Sequence, residues 1–271
     1  MSIAKETIIG SKEKYALVTG ASSGIGYELA KLFAQDGKNI AVVARSRDKL
    51  EDLKKRLETK HGTKVRVLVK DLSDPKSPQE IFSEMTKEDM NVDVLVNNAG
   101  FSVYGKFSDS DWQKEAEMLQ VNIVSLTQLT KLFLNKMLEN RSGKILNVSS
   151  GVGFMPSPWF SVYGGTKHYV LAFSNAIANE LKGTGVSVTC FCPTNTRTLF
   201  YKRANAENCK SNRRGFAAMD AATAAKLGYR ALAKGKTTAT AGLPLSLMMF
   251  GTRFIPRNLV CSISKWVLQP E

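Results

Sequence analysis

Tyr15-Ala16-Leu17-Val18-Thr19-Gly20-Ala21-Ser22-Ser23-Gly24-Ile25-Gly26-Tyr27-Glu28-Leu29-Ala30-Lys31-Leu32-Phe33 is the stretch whose reading decides the fold. A short apolar run breaks into a glycine-rich turn and then into helical periodicity, which is a buried strand feeding a helix. A helix start presents unpaired backbone N–H groups and the positive end of the macrodipole, so a phosphate can sit there without a dedicated basic side chain. Gly20 permits the tight turn, Gly24 lets the backbone approach a pyrophosphate, and Gly26 lets the helix pack closely on its strand.

Working outward, strand-like and helix-like stretches alternate along the chain. Asn39 to Ala44 reads as a second buried strand, followed by a charged helix from about Arg47 to Lys60. Val65 to Val69, Val92 to Val96, Gly143 to Val148 and Val186 to Phe191 read as further strands, and Thr237 to Ala241 as a last one. Ser110 and Gln113 suggest a capping box for one long helix reaching about Glu139; helical periodicity returns over Val162–Leu181 and Asp220–Ala233. Strands separated by crossover helices must run parallel. The expectation is an α/β fold, a single doubly wound parallel sheet (Rossmann type) with helices on both faces. Residues 1–241 would form the nucleotide-binding catalytic domain, with a substrate loop at about 197–219, and residues 242–271 an apolar-basic extension.

Composition narrows the classes. With 43% apolar and 23% charged residues the chain has material for a core and no signature of disorder. The formal charge of +14 implies attraction to phosphates, acidic carriers or anionic membranes. No nucleic-acid recognition motif accompanies it, so a nucleic-acid partner is not expected. Cys190, Cys192, Cys209 and Cys261 with His61 and His168 form no metal-ligand spacing, and no metal is expected; Cys190 and Cys192 read as small apolar residues alternating on a strand. Neither a secretory signal nor a run of ~18 apolar residues is present, which predicts a cytoplasmic protein, with contact at a membrane surface as an alternative.

A second motif is independent of the glycine turn. Tyr163-Gly164-Gly165-Thr166-Lys167 places a phenol and an ammonium four residues apart, on one face of a predicted helix, and Ser150 precedes the tyrosine by 13 residues. With Asn97-Asn98-Ala99-Gly100 and Asn122, these motifs resemble the short-chain dehydrogenase/reductase family, in register from about Tyr15 to Thr198. The resemblance implies that Tyr163 exchanges a proton with the carbonyl or hydroxyl oxygen, that Lys167 lowers its pKa and binds the nicotinamide ribose, that Ser150 holds the reacting oxygen, and that Asn122 anchors a water relay. A phenol of ordinary pKa about 10 needs such nearby positive charge to work at neutral pH.

The coenzyme is expected to be NADP(H). NAD sites place a carboxylate about 20 residues beyond the glycine turn, where it would repel a 2′-phosphate. Here the strand ends Val43-Ala44-Arg45-Ser46-Arg47, so Arg45 is assigned to the phosphate, with Ser46 or Arg47 assisting. The resemblance carries Gly20, Ser22, Ser23, Gly24, Ile25 and Gly26 over as the pyrophosphate turn. It gives Asp71 and Leu72 as adenine contacts, Asn98, Ala99 and Gly100 as the segment under the adenine, and Pro193, Thr196 and Thr198 as nicotinamide neighbours. One departure is that Pro193 is followed by Thr194 where the family usually has glycine.

The loop from Arg197 mixes Leu199, Phe200 and Tyr201 with Lys202, Arg203, Lys210, Arg213 and Arg214. It reads either as a solvated charged face or as a receiver for an anionic handle, such as coenzyme A phosphates or an acyl carrier, beside an acyl chain. Beyond Gly242 the apolar chain is interrupted by Arg253, Arg257 and Lys265, and Pro256 breaks any single helix. It is expected to cover the substrate or contact a subunit, or else to lie on an anionic membrane. The expected reaction is reduction of a hydrophobic ketone, such as a 3-oxoacyl thioester. A hydroxysteroid- or retinoid-type dehydrogenase and a non-catalytic NADP(H)-sensing scaffold are the alternatives. Apolar excess on the helices at 110–139 and 162–181 suggests a homo-oligomer.

Overall fold

The apolar run at the start becomes β1 (Lys14–Thr19), buried from Tyr15 onward, as a strand covered on both faces should be. This computed structural model describes residues 13–197, 200–213, 218–242, 246–247, 250–252 and 254–271. After β1 come α1 (Gly24–Gln35), β2 (Asn39–Ala44), α2 (Arg47–His61), β3 (Val65–Val69), α3 (Ser77–Lys87) and β4 (Asn91–Asn97). Then follow α4 (Trp112–Leu119), α5 (Leu126–Glu139), β5 (Gly143–Val148), α6 (Ser161–Glu180) and β6 (Val186–Cys192). A short parallel pair, β7 (Thr196–Arg197) with β8 (Met219–Asp220), brackets α7 (Phe200–Arg203) and α8 (Lys210–Arg213). The chain continues through α9 (Ala221–Ala233), β9 (Thr238–Thr240) and α10 (Arg257–Leu268).

The main sheet has the order β3-β2-β1-β4-β5-β6-β9, every pair parallel. Strand order reverses between β1 and β4, and a crevice opens there at the C-terminal strand ends, the usual ligand position in such sheets. One face is covered by α1, α2 and α9 through Leu29, Phe33, Leu50, Leu53 and Leu232. The other is covered by α3, α5 and α6 through Ile81, Met85, Leu129, Phe133 and, just past α6, Leu181. Burying each of these side chains stabilises the fold by ~1.5–3 kcal/mol before conformational entropy is counted.

The region expected to be one long helix is different. Asp111, not Ser110, caps α4 by accepting from the Gln113 N–H at 2.9 Å, while the Ser110 hydroxyl bonds Phe107 O and Glu115. Between α4 and α5 the ladder widens into a π-helical segment, Gln120–Ser125, with Asn122 inside it. Periodicity could not separate the two forms, because a single wide turn keeps the apolar stripe nearly continuous. Pro78 lies in the first turn of α3 and Pro256 immediately precedes α10, positions where the missing N–H costs nothing. Pro256 thus breaks the C-terminal segment, as expected, and a twelve-residue helix starts beyond it.

Candidate active site

The glycine turn is built for a close backbone approach. Gly20 and Gly24 have φ of 68° and 62°, a region other residues rarely adopt. Ser23 stands at the N-cap of α1 without capping it through its side chain, and there is no acid in the first turn. The first-turn N–H groups are therefore left for an anion. Gly20, Ser22, Ser23, Gly24 and Ile25 all line one cavity. Gly26 does not line it: a Cβ there would lie 2.4 Å from Asn98 Nδ2 and 2.6 Å from the Gly20 carbonyl. Its bareness seats α1 against the turn and against Asn98 just past β4, a more specific demand than helix-on-strand packing.

Asn98 and Thr19 tie that turn to the other side of the crevice. The Asn98 amide donates to Thr19 O at 2.9 Å and Gly20 O at 3.4 Å. Thr19 Oγ1 donates to Val96 O and accepts from the Asn98 and Ala99 N–H groups at 2.9 and 3.0 Å. Sequence reasoning placed Thr19 in the turn without giving it this role; a threonine ending a strand at a switch point was the available signal.

Arg45, Ser46, Asp71 and Leu72 line the same cavity at the ends of β2 and β3. Arg45 reaches to 3.6 Å from the Asp71 carboxylate with its side chain 73% exposed, so this ion pair holds it only weakly. Despite desolvation, Asp71 is held below the usual carboxylate range by the Ser73 N–H and hydroxyl and by Arg45. The donors at the turn and the cation at the strand end fit a dinucleotide bearing a 2′-phosphate, and none of Arg45, Ser46 and Arg47, which follow β2, is acidic.

Ser150, Tyr163 and Lys167 converge on the cavity beyond β5, which Ala99 and Gly100 also line. Ser150 caps a 3-10 turn, Gly151–Phe154, while α6 carries Tyr163 and Lys167 on its buried face. Lys167 Nζ donates to Val148 O at 3.0 Å and lies 5.7 Å from the centroid of the Tyr163 ring. Beneath them runs a buried chain of amides: Asn97 donates to Thr130 and to Asn147, and Asn147 donates to Ser174. It fixes β4, β5, α5 and α6 relative to one another, and it was not legible because its members lie far apart in sequence.

One expectation needs correction. The ammonium was expected to make the phenol acidic, yet burial pushes Tyr163 above the ordinary tyrosine value, opposed by the facing Ser150 hydroxyl. Burial also pulls Lys167 down to about 8. In a dry site the loss of hydration penalises each charged form, and it is the largest cause of both shifts. Asn122, expected to anchor a water relay, is not itself among the residues that line the cavity. Its amide bonds the Phe101 carbonyl at 3.0 Å and Thr166 Oγ1 at 3.1 Å, and its oxygen accepts from Phe101 N–H. Asn122 thus positions α6 against the loop after β4.

The cavity, about 980 Å³, extends from the turn past Tyr163 to a roof made by α7 and α10. Phe200 lies 5.3 Å and Phe160 5.8 Å from Tyr163 between ring centroids. Tyr201, Arg203, Ile255, Val260, Ile263 and Trp266 complete the far end, and Pro193 and Thr196 line the wall after β6. Thr198, Leu199 and Arg214 lie outside the described residues, as does the side chain of Arg213. Tyr104 anchors the roof by donating to Leu268 O at 2.7 Å. An aromatic loop meeting the C-terminal helix across such a separation left no local mark in the sequence.

With that geometry in place, comparison with known proteins is decisive: residues 14–208 match the family model for short chain dehydrogenases. The chain belongs to the short-chain dehydrogenase family. As a short-chain dehydrogenase it is an oxidoreductase. It is 31% identical over 188 residues to a very-long-chain 3-oxoacyl-CoA reductase of Pyrenophora tritici-repentis, covering 68% of this chain and 55% of that protein. The short-chain dehydrogenase therefore spans little more than half of that relative's length. An uncharacterized oxidoreductase of Staphylococcus epidermidis is 34% identical over 182 residues, 67% of this chain and 77% of its own. A 7beta-hydroxysteroid dehydrogenase of Collinsella aerofaciens is 31% identical over 180 residues, covering 65% and 68% of the two chains. Among solved structures, a short-chain dehydrogenase from Sphingobium yanoikuyae in complex with NADPH superposes with a TM-score of 0.82 at 28% identity, covering 91% and 94% of the two chains.

Proposed function

We propose that this short-chain dehydrogenase uses NADPH to reduce a ketone on a hydrophobic substrate, with a 3-oxoacyl thioester as the favoured class. The observation that carries the reading is one cavity holding the glycine cradle and Arg45 at one end, Ser150, Tyr163 and Lys167 in the middle, and an apolar chamber under α7 and α10 at the other. When bound, the reduced nicotinamide supplies a hydride to the carbonyl carbon. Ser150 and Tyr163 hold the carbonyl oxygen, and Tyr163 gives its proton to that oxygen as negative charge develops. A phenol whose pKa is raised by burial is suited to remain protonated until that moment. Lys167, close beneath the ring, stabilises the phenolate left behind and can donate to a ribose hydroxyl.

Among the described side chains of the loop, Arg203 is the basic one that lines the cavity, so it is the candidate partner for a thioester's phosphate handle. The likeness to the fungal 3-oxoacyl-CoA reductase supports the same class. A rigid polycyclic ketone is the second reading, favoured by the tilted aromatic wall of Phe160, Tyr163 and Phe200. A pure NADP(H) sensor has no need of a desolvated lysine under a buried phenol. Self-association fits the face formed by α6 and the π-helical segment ahead of α5, where Tyr169 and Val124 remain exposed; sedimentation velocity reads it directly.

NADPH oxidation should be measured with 3-oxoacyl thioesters of increasing chain length, steroid ketones and small ketones, with Tyr163→Phe as control. The expected result is turnover that rises with acyl length and falls when Arg203 is replaced by Gln. Activity confined to short neutral ketones, indifferent to Arg203, would remove the thioester reading.

A further inference from the structure

The C-terminal segment presents two apolar faces, and the cavity uses only one. On α10 the inner face is Val260, Ser264 and Leu268, all buried. Leu259, Ile263 and Trp266 follow at i, i+4 and i+7 on another stripe and are 53%, 51% and 51% exposed. Leu247, Phe250, Phe254 and Ile255, just before the helix, are also exposed, and Phe250 packs edge-on against Phe254 at 5.2 Å. Soluble monomers rarely leave this much large apolar surface together without a use for it.

Charge indicates what covers it. From residue 242 to residue 270 the sequence has three basic residues and no acidic one, in a chain of net charge +14. Lys265 stands on the flank of the stripe, and Lys210 lies over the Trp266 ring, 5.3 Å from its centroid, a cation held against the aromatic face. A second copy meeting this face would bring like charges together. An anionic bilayer would meet both features, taking the aromatic and aliphatic side chains into its boundary and the lysines at its headgroups.

We propose that the exposed stripe of α10, with Phe250 and Phe254 ahead of it, docks on an anionic phospholipid surface, so that the cavity mouth opens against the membrane. Ile255, Ile263 and Trp266 carry the link to function, since each is exposed and each also lines the cavity. They form its rim, and a substrate dissolved in the bilayer would pass over them without crossing water. No helix among the described residues is long and apolar enough to cross a membrane, so the contact is interfacial. The proposal goes beyond the catalytic reading and does not need it.

The full chain should be sedimented with vesicles of phosphatidylcholine alone and with added phosphatidylserine. Binding is expected with phosphatidylserine, weakening as salt is raised. The triple variant Phe250→Ser, Phe254→Ser, Leu259→Gln, none of which lines the cavity, should lower the bound fraction at least about tenfold while NADPH still raises its melting temperature. Should that variant not fold, Arg257→Glu with Lys265→Glu provides the second arm, and its binding to phosphatidylserine vesicles should fall likewise. The proposal is overturned if the wild type stays in the supernatant with both vesicles, or if folded variants bind as well as the wild type. It is equally overturned if ultracentrifugation shows a wild-type dimer that the triple variant splits, since the face then belongs to a second copy. Reduction of a water-soluble ketone by the same preparations reads the catalytic proposal separately.

Discussion

Lys167 points its ammonium at the Val148 carbonyl, 3.0 Å away, while lying 5.7 Å from the centroid of the Tyr163 ring. One buried cation thus stands beside both the end of β5 and the phenol, which makes it costly to the fold and useful to the chemistry.

Replacing Tyr163 with Phe removes the proton donor and keeps the ring between Phe160 and Phe200. General-acid catalysis is typically worth ~10²–10⁴-fold, so kcat should fall by about that factor. NADPH binding, read by fluorescence titration, should persist. A variant retaining a tenth of wild-type kcat would remove Tyr163 from the reaction.

Lys167 offers a test through stability. Its folded pKa is lowered from 10.5 to about 8 by burial, so between those values the unfolded chain binds more protons and the unfolding free energy rises with pH. Below about pH 8 both states are protonated and the full penalty is present. Lys167→Met should therefore stabilise the chain without added coenzyme by on the order of 1–3 kcal/mol at pH 7, abolish that pH slope and eliminate turnover. Chemical denaturation at pH 7 and pH 10 measures it; a destabilised variant with an unchanged slope would contradict it.

Arg45 is where the coenzyme assignment can be tested. Because none of Arg45, Ser46 and Arg47 is acidic and Asp71 lies 3.6 Å from the guanidinium, Arg45→Asp would put two carboxylates where a 2′-phosphate should rest. The ratio of kcat/KM for NADPH over NADH should drop by about 10–100-fold, or ~1.4–2.8 kcal/mol. An unchanged ratio would reassign the phosphate site.

Two glycines give opposite expectations. In Gly26→Ala the new methyl would meet the Gly20 carbonyl at 2.6 Å, a backbone atom that cannot swing away. Stability should fall by about 1–3 kcal/mol and NADPH affinity with it. Gly165, on the open side of α6 with nothing within 4 Å of an added Cβ, should accept Ala with a gain of roughly 0.5–1 kcal/mol. Thermal melts with and without NADPH compare the pair.

Much was legible in the chain wherever the determinant is local. The strand–turn–helix at 15–33, the parallel order implied by crossover helices and the shared face of Tyr163 and Lys167 all follow from short-range periodicity and backbone sterics. The π segment around Asn122 was not, since a widened turn and an α-turn carry the same pattern. The roles of Thr19, Asn97 and Asn147 escaped for another reason: a buried amide network is defined by strands brought side by side, not by spacing.

From residues alone, this protein's fold class, its glycine cradle, the lack of an acid among residues 45–47 and the spacing of its phenol and lysine are determined, because chain geometry converts each into a direction within a few residues. Tertiary structure alone decided that burial raises Tyr163 and lowers Lys167, that Asn122 supports the wall, and that α10 roofs the cavity through Tyr104 and Leu268. Those outcomes depend on how much water is excluded and which remote surfaces meet, quantities that exist only once distant segments have packed together.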